Sequence, residues 1–137
     1  MVGTVEANIA LMRTAFGALD RGDLEACADL VAEDFVANLP GLDEPLHGRE
    51  IWKLGVQAML AGFPDLRVSI EDIFGDGDKV AMRLRFEGTH KGPFQGVPAT
   101  ERRVGFTSIE IYRVADGRIA EEWVSPDMMG LMRQISS

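Results

Sequence analysis

The hydrophobic repeat of this chain changes at Leu66, and that change limits the folds open to it. Before Leu66 the apolar residues recur every three or four positions, as a helix requires. After it they alternate, as a half-buried strand requires. Ile9, Met12, Phe16 and Leu19 share one face of a first helix, and Gly22 closes it, because glycine tolerates the left-handed conformation at a helix end. Asp23 caps a second, shorter helix from Leu24 to about Val31. Phe35 to Leu39 reads as a short strand running into Pro40, and the Pro- and Gly-bearing stretch 40–48 reads as a loop. A third helix is predicted from Arg49 to Ala61, with Trp52, Val56, Met59 and Leu60 at helical spacing. Gly62-Phe63-Pro64 stops it, since proline cannot continue a helix.

Beyond the switch, Leu66, Val68 and Ile70 alternate with polar residues. After the Gly75-Asp76-Gly77-Asp78 turn, Val80, Met82, Leu84 and Phe86 do the same. A second long strand is predicted from Arg103 to Val114 and a third from Arg118 to Ser125, joined by the hairpin signal Ala115-Asp116-Gly117. A short C-terminal helix follows. Inside the second of these strands the apolar phase slips: Val104 and Phe106 have one parity, Ile109 and Ile111 the other. Either a bulge near Thr107-Ser108, of the kind that bends a strand around a cavity, or a strand buried on both faces accounts for the slip. Helices gathered before an antiparallel run define an α+β class. The expected form is a cone-shaped curved antiparallel sheet wrapped around N-terminal helices, with an open mouth.

The length of 137 residues fits one domain, 1–137, large enough to bury a core without a metal or disulfide staple. A net charge of −8, with the basic residues scattered, opposes contact with nucleic acid or an anionic membrane surface. No apolar run reaches the roughly 20 residues of a membrane helix. The N-terminus lacks the basic region of a signal peptide, so a cytoplasmic location is expected. The one cysteine, Cys27, sits in an apolar helical stretch and reads as a buried structural thiol.

Several local patterns occur in a familiar order. They are Arg21-Gly22-Asp23-Leu24-Glu25 with Asp34-Phe35-Val36, the helix start Gly48-Arg49-Glu50, and Phe63-Pro64-Asp65-Leu66. Further on come the Gly88-Thr89-His90 to Pro98 loop, Ile111-Tyr112-Arg113-Val114-Ala115-Asp116-Gly117-Arg118-Ile119, and Glu121-x-Trp123-x-x-x-Asp127 before Gly130-Leu131. In these pieces, spread over nearly the whole chain, the sequence resembles the SnoaL-like polyketide cyclases of the nuclear-transport-factor-2-like superfamily. The resemblance implies a conical barrel, a flat and largely apolar small-molecule substrate, and intramolecular aldol ring closure without metal or organic cofactor. It also implies pairing into a homodimer or tetramer, and an Asp general acid/base at the position of Asp127.

Aldol closure needs a base to remove a proton from a carbon flanked by carbonyls, then an acid to protonate the new alkoxide. A carboxylate buried beside aromatic rings is lifted toward the working range for both tasks. Asp127, just after Pro126, suits that role, and equally suits the N-cap of the final helix; the two are compatible. His90 is the second catalytic candidate, as a proton relay or carbonyl polariser, against a structural role in fixing the Gly-rich turn. His47, in the Pro/Gly loop, reads as a surface or capping residue.

Asn38 and Glu122 stand where many relatives carry histidine. The Asn38 amide can orient a substrate carbonyl but cannot exchange protons. Trp52, Phe63, Phe106 and Trp123, with Phe86 and Phe94, are candidates to line the pocket, against a plain core role. The two indoles stand out because their N–H needs a partner when buried. Arg83 and Arg85 fall on the sheet face opposite Met82 and Leu84. Three functions share such a pocket: a cyclase or related lyase or isomerase, an epoxide hydrolase or hydratase with an Asp–Arg network, and a binding or accessory protein without turnover.

Overall fold

The computed structural model describes residues 3–136. Thr4 caps the first helix, α1 (Val5–Asp20), its hydroxyl accepting the Ala7 N–H at 3.0 Å. Met12, Ala15 and Phe16 on its inner face are buried. Gly22, at φ 75°, turns the chain into α2 (Leu24–Ala28), capped by Asp23 through the Ala26 N–H. This helix ends three residues before the expected Val31, because Val31 is fully buried as the first residue of strand β1 (Val31–Asn38). The loop beyond it contains a short strand the sequence pattern does not signal, β2 (Leu46–His47). Helix α3 (Arg49–Gly62) follows Gly48, whose φ of 104° only glycine adopts without strain. Then come β3 (Arg67–Asp76), β4 (Lys79–Thr89), β5 (Arg103–Ala115), β6 (Arg118–Pro126) and α4 (Met128–Ser136).

The six strands form one unclosed sheet in the order β2-β1-β6-β5-β4-β3. Every pairing is antiparallel except β1 with β6, which is parallel and brings the N-terminal strand beside the last one. The β5–β6 turn uses left-handed Asp116 (φ 52°) and Gly117 (φ 72°), as a tight hairpin requires. Helix α1 packs on β3 and β4, α3 on β1, and α4 on β5. The main core gathers Met12, Phe35, Val80, Met82 and Leu84 between α1 and the sheet. A second core gathers Phe63, Phe94, Val104, Leu131 and Ile135 near α4.

The phase slip in β5 has a cause other than the two expected. No bulge occurs at Thr107-Ser108: β5 pairs with β4 in unbroken register from Arg103 to Arg113. Nor is the strand buried on both faces, since Ile109 and Ile111 are exposed. The buried positions keep one parity throughout: Val104, Phe106, Ser108, Glu110, Tyr112 and Val114. The slip arises because two of those inward positions carry polar residues while the outward ones carry isoleucine. Register shifts lie instead in β1 between Val31 and Val36, in β3 between Ile70 and Asp72, and at the β5–β6 end between Arg113 and Val114. On the outer face one row crosses the sheet, from Phe74 through Ala81, Ile111 and Trp123 to Asn38.

Candidate active site

The inner face of β5 and β6 and the apolar side of α3 enclose a cavity of about 250 Å³. Helix α3 contributes Ile51, Trp52, Val56 and Met59. It lays this apolar stripe over empty space, and only Gly62 of the helix is buried. Phe16 and Leu19 of α1, Ala37 of β1 and Phe86 of β4 complete the apolar walls, with Phe86 stacked on Phe106 at 5.1 Å. Two surface depressions are larger, about 500 and 530 Å³, but neither lining contains a buried titratable side chain.

The polar content of the cavity wall is concentrated in Glu110, Tyr112 and Glu122, all buried. Alternation along β5 puts Ser108, Glu110 and Tyr112 at successive inward positions, and the antiparallel register sets Tyr112 opposite Glu122. Ser108 Oγ donates to Glu110 Oε2 at 2.6 Å, and Tyr112 Oη donates to Glu110 Oε1 at 2.5 Å. Burial pushes the Glu110 carboxyl up from its ordinary value, opposed by these two donors. Burial, reinforced by the charge of Glu110, pushes Glu122 up to about 8. Burial also lifts the Tyr112 phenol well above its ordinary value, so it remains a neutral donor at physiological pH. No Lys, Arg or His lines this cavity among the described residues. The wall therefore offers a proton acceptor and a proton donor in a largely apolar surrounding.

The sequence-predicted residues divide between this cavity and other places. Trp52 and Phe106 line it. Trp123 does not: strand alternation turns it to the outer face between Ile111 and Asn38, while its neighbours Glu122 and Val124 face the cavity. Asn38 lies in that outer row too. Its amide donates to Glu121 Oε2 at 3.0 Å and to the Glu122 carbonyl at 2.9 Å, stitching β1 to β6 outside the cavity lining.

Phe63 is fully buried in the second core against Phe94, with ring centres 5.2 Å apart. His90 belongs to the same core, packed on Phe63. Its Nδ1 accepts the Thr100 N–H at 3.2 Å and its Nε2 has no partner among the described residues, so the ring fixes the 90–100 loop. Asp127 is exposed and lies outside the cavity lining. Its Oδ1 accepts the Gly130 N–H at 2.9 Å, which is the N-cap of α4. Ser108, Glu110 and Tyr112 were missed, and Glu122 was noted only as a departure from relatives. The signal that could have found the first two was the slip in β5: polar residues at inward positions.

Helices packed on an unclosed sheet around an apolar cavity with buried carboxyls form a candidate small-molecule pocket. The profile described as SnoaL-like polyketide cyclase matches residues 10–135. The chain belongs to this family, among enzymes of the lyase and isomerase kind. It is 29% identical over 132 residues to the aklanonic acid methyl ester cyclase DauD of Streptomyces sp. (strain C5), covering 93% of this chain and 80% of that one. It is 28% identical over 136 residues to the aklanonic acid methyl ester cyclase DnrD of Streptomyces peucetius, covering 96% and 92%. Among solved structures it is similar to wild-type IdmH of Streptomyces antibioticus, a candidate polyketide cyclase (35% identity, TM-score 0.82, 95% of this chain and 99% of that one). It is also similar to AclR of Streptomyces galilaeus, a candidate hydroxylase (28%, TM-score 0.88, 97% and 98%).

Proposed function

We propose that this cavity closes a ring by intramolecular aldol addition on a neutral, largely apolar polyketide ketone or ester, with Glu122 as general acid/base. The observation that carries the reading is the pair of buried carboxyls, Glu110 and Glu122, on the wall of an otherwise apolar cavity. In its ionised form Glu122 removes a proton from a carbon flanked by carbonyls. The resulting enolate carbon attacks a second carbonyl within the same molecule and forms the new C–C bond. Glu122 then returns its proton to the alkoxide, so the reaction is an isomerisation with no atom gained or lost. A carboxyl near pH 8 is matched to that cycle, whereas one at its ordinary value is too weak a base. A wall with two carboxyls and no cation favours a neutral substrate over a free acid, consistent with the methyl esters in the names of the two relatives.

The role first expected for Asp127 passes in this reading to Glu122, because a general base must reach its substrate and Glu122 lines the cavity whereas Asp127 does not. Epoxide hydration is less well served, since among the described residues the same wall supplies no guanidinium for an Asp–Arg network. A second copy of the chain is proposed against the outer sheet face, where Phe74, Ile109 and Ile111 are exposed. Light scattering on a sizing column reads the mass directly.

The function is tested by turnover of aklanonic acid methyl ester and simpler β-dicarbonyl esters, with binding followed by tryptophan fluorescence. Turnover by the native chain that is lost in Glu122→Gln, with binding retained, supports the reading. Undiminished turnover in that variant removes Glu122 from the chemistry. Binding without turnover in the native chain favours a pocket protein.

A further inference from the structure

Resting on the reading of Glu122 as acid/base, we propose that Ser108 and Tyr112 are positioning residues. They hold Glu110 as a fixed, buried negative charge facing Glu122, and so govern when Glu122 takes and releases its proton.

The two residues are both buried, but their carboxyls are unequally partnered. Each oxygen of Glu110 receives one hydroxyl, from Ser108 at 2.6 Å and from Tyr112 at 2.5 Å. An ionised carboxylate accepts at both oxygens, whereas a carboxylic acid commits one of them to its own proton. Two donors therefore favour the anion. The Glu122 carboxyl has no hydrogen-bond partner among the described residues; only its main-chain carbonyl accepts, from Asn38. Two like charges in one apolar cavity oppose each other, so the better-partnered group keeps the charge and the other keeps the proton. Glu110 is thus the anion, Glu122 the exchanging group.

Among the described residues the cavity wall supplies no competing charge. Phe16 of α1, Trp52 of α3, Ala37 of β1, Phe86 of β4 and Met128 of α4 face the pair, and none of them titrates. Cys27 of α2 acts on Tyr112 from behind, and burial pushes its thiol up to about 12, so it stays neutral. On the far side of the sheet Arg113 and Glu121 neutralise each other at 3.0 Å. The charge that Glu122 meets inside the cavity is that of Glu110, and removing the hydroxyls hands Glu110 a proton and cancels it.

The experiment is a carboxyl 13C NMR titration of protein carrying 13Cδ-glutamate, with Glu122→Gln identifying the Glu122 signal. In the native chain Glu122 titrates at about 8. In Tyr112→Phe, Ser108→Ala and Glu110→Gln its midpoint falls by about one pH unit or more. The rising limb of kcat/KM for the ester used above moves down in step. A purely structural role for the hydroxyls lowers activity and leaves both midpoints in place. Midpoints unmoved in all three variants, with near-UV circular dichroism unchanged, overturn the inference. Because Ser108→Ala and Glu110→Gln are small changes, they decide the matter even if Tyr112→Phe folds poorly. Persistent turnover in Glu122→Gln overturns the acid/base reading instead, and the NMR midpoints still judge the coupling by themselves.

Discussion

Glu122 and Asp127 lie on one short stretch of chain, at opposite ends of its change from strand to helix. Glu122 faces inward from β6 beneath α3, buried, with its carboxyl unpartnered among the described residues. Asp127 lies just beyond the last strand residue, exposed, with its carboxylate committed to the Gly130 N–H. The first setting raises a carboxyl's pKa through desolvation and a neighbouring charge, as the proposed acid/base role requires. The second turns one into a helix cap. The same functional group stands in two settings that differ in local dielectric and in available donors.

The largest expected effect separates the two directly. Glu122→Gln lowers kcat by about 10²- to 10⁴-fold, the usual worth of a general acid/base, while Asp127→Asn stays within a few-fold of native in the same assay. A collapse of turnover in Asp127→Asn with an intact C-terminal helix would reverse the assignment. Next in size is a pH dependence of stability. Folded Glu122 keeps its proton up to about pH 8, against an ordinary value of 4.5. Between those values the folded state binds the additional proton, so stability falls as pH rises, from full benefit below 4.5 to none above 8. Urea denaturation across that window reads a loss on the order of a few kcal/mol, flattened in Glu122→Gln. Asp20, held low chiefly by its hydrogen bond from Arg67, has the opposite sign and acts only at the acid end.

Smaller effects sharpen the contrast between the two sheet faces. Trp52→Ala, on the cavity wall, weakens ester binding by about tenfold, a single aromatic contact, while Trp123→Phe on the outer face leaves it unchanged in the same fluorescence or calorimetric titration. Equal losses in both would mean that the outer face shapes the cavity. The smallest effect is the cap: Asp127→Ala lowers unfolding stability by about 1 kcal/mol and Asp127→Asn by less, read by thermal melting.

Much of the fold was legible because it rests on local rules. The period change at Leu66, the caps Asp23 and Gly22, and the Asp116-Gly117 hairpin each act within a few residues. The parallel pairing of β1 with β6 was not legible, since no local signal links residues so far apart in the chain. The site was legible in part. Trp52 reaches the cavity through helical spacing and Phe106 through strand parity. Trp123 was misplaced because its indole, not its parity against Glu122, drove the reading. Phe63 and His90 sit in a second core whose separateness only packing reveals.

The sequence by itself determined most of the elements, the α+β class and the family, since periodicity, caps and turn residues are properties of neighbours along the chain. Even the polar interruption of β5 was there to be read. The tertiary structure decided which carboxyls are buried on the cavity wall and pushed up from their ordinary values. Desolvation and like-charge coupling depend on what surrounds a group in space, and Glu110 meets Glu122 only once β5 and β6 pair beneath α3.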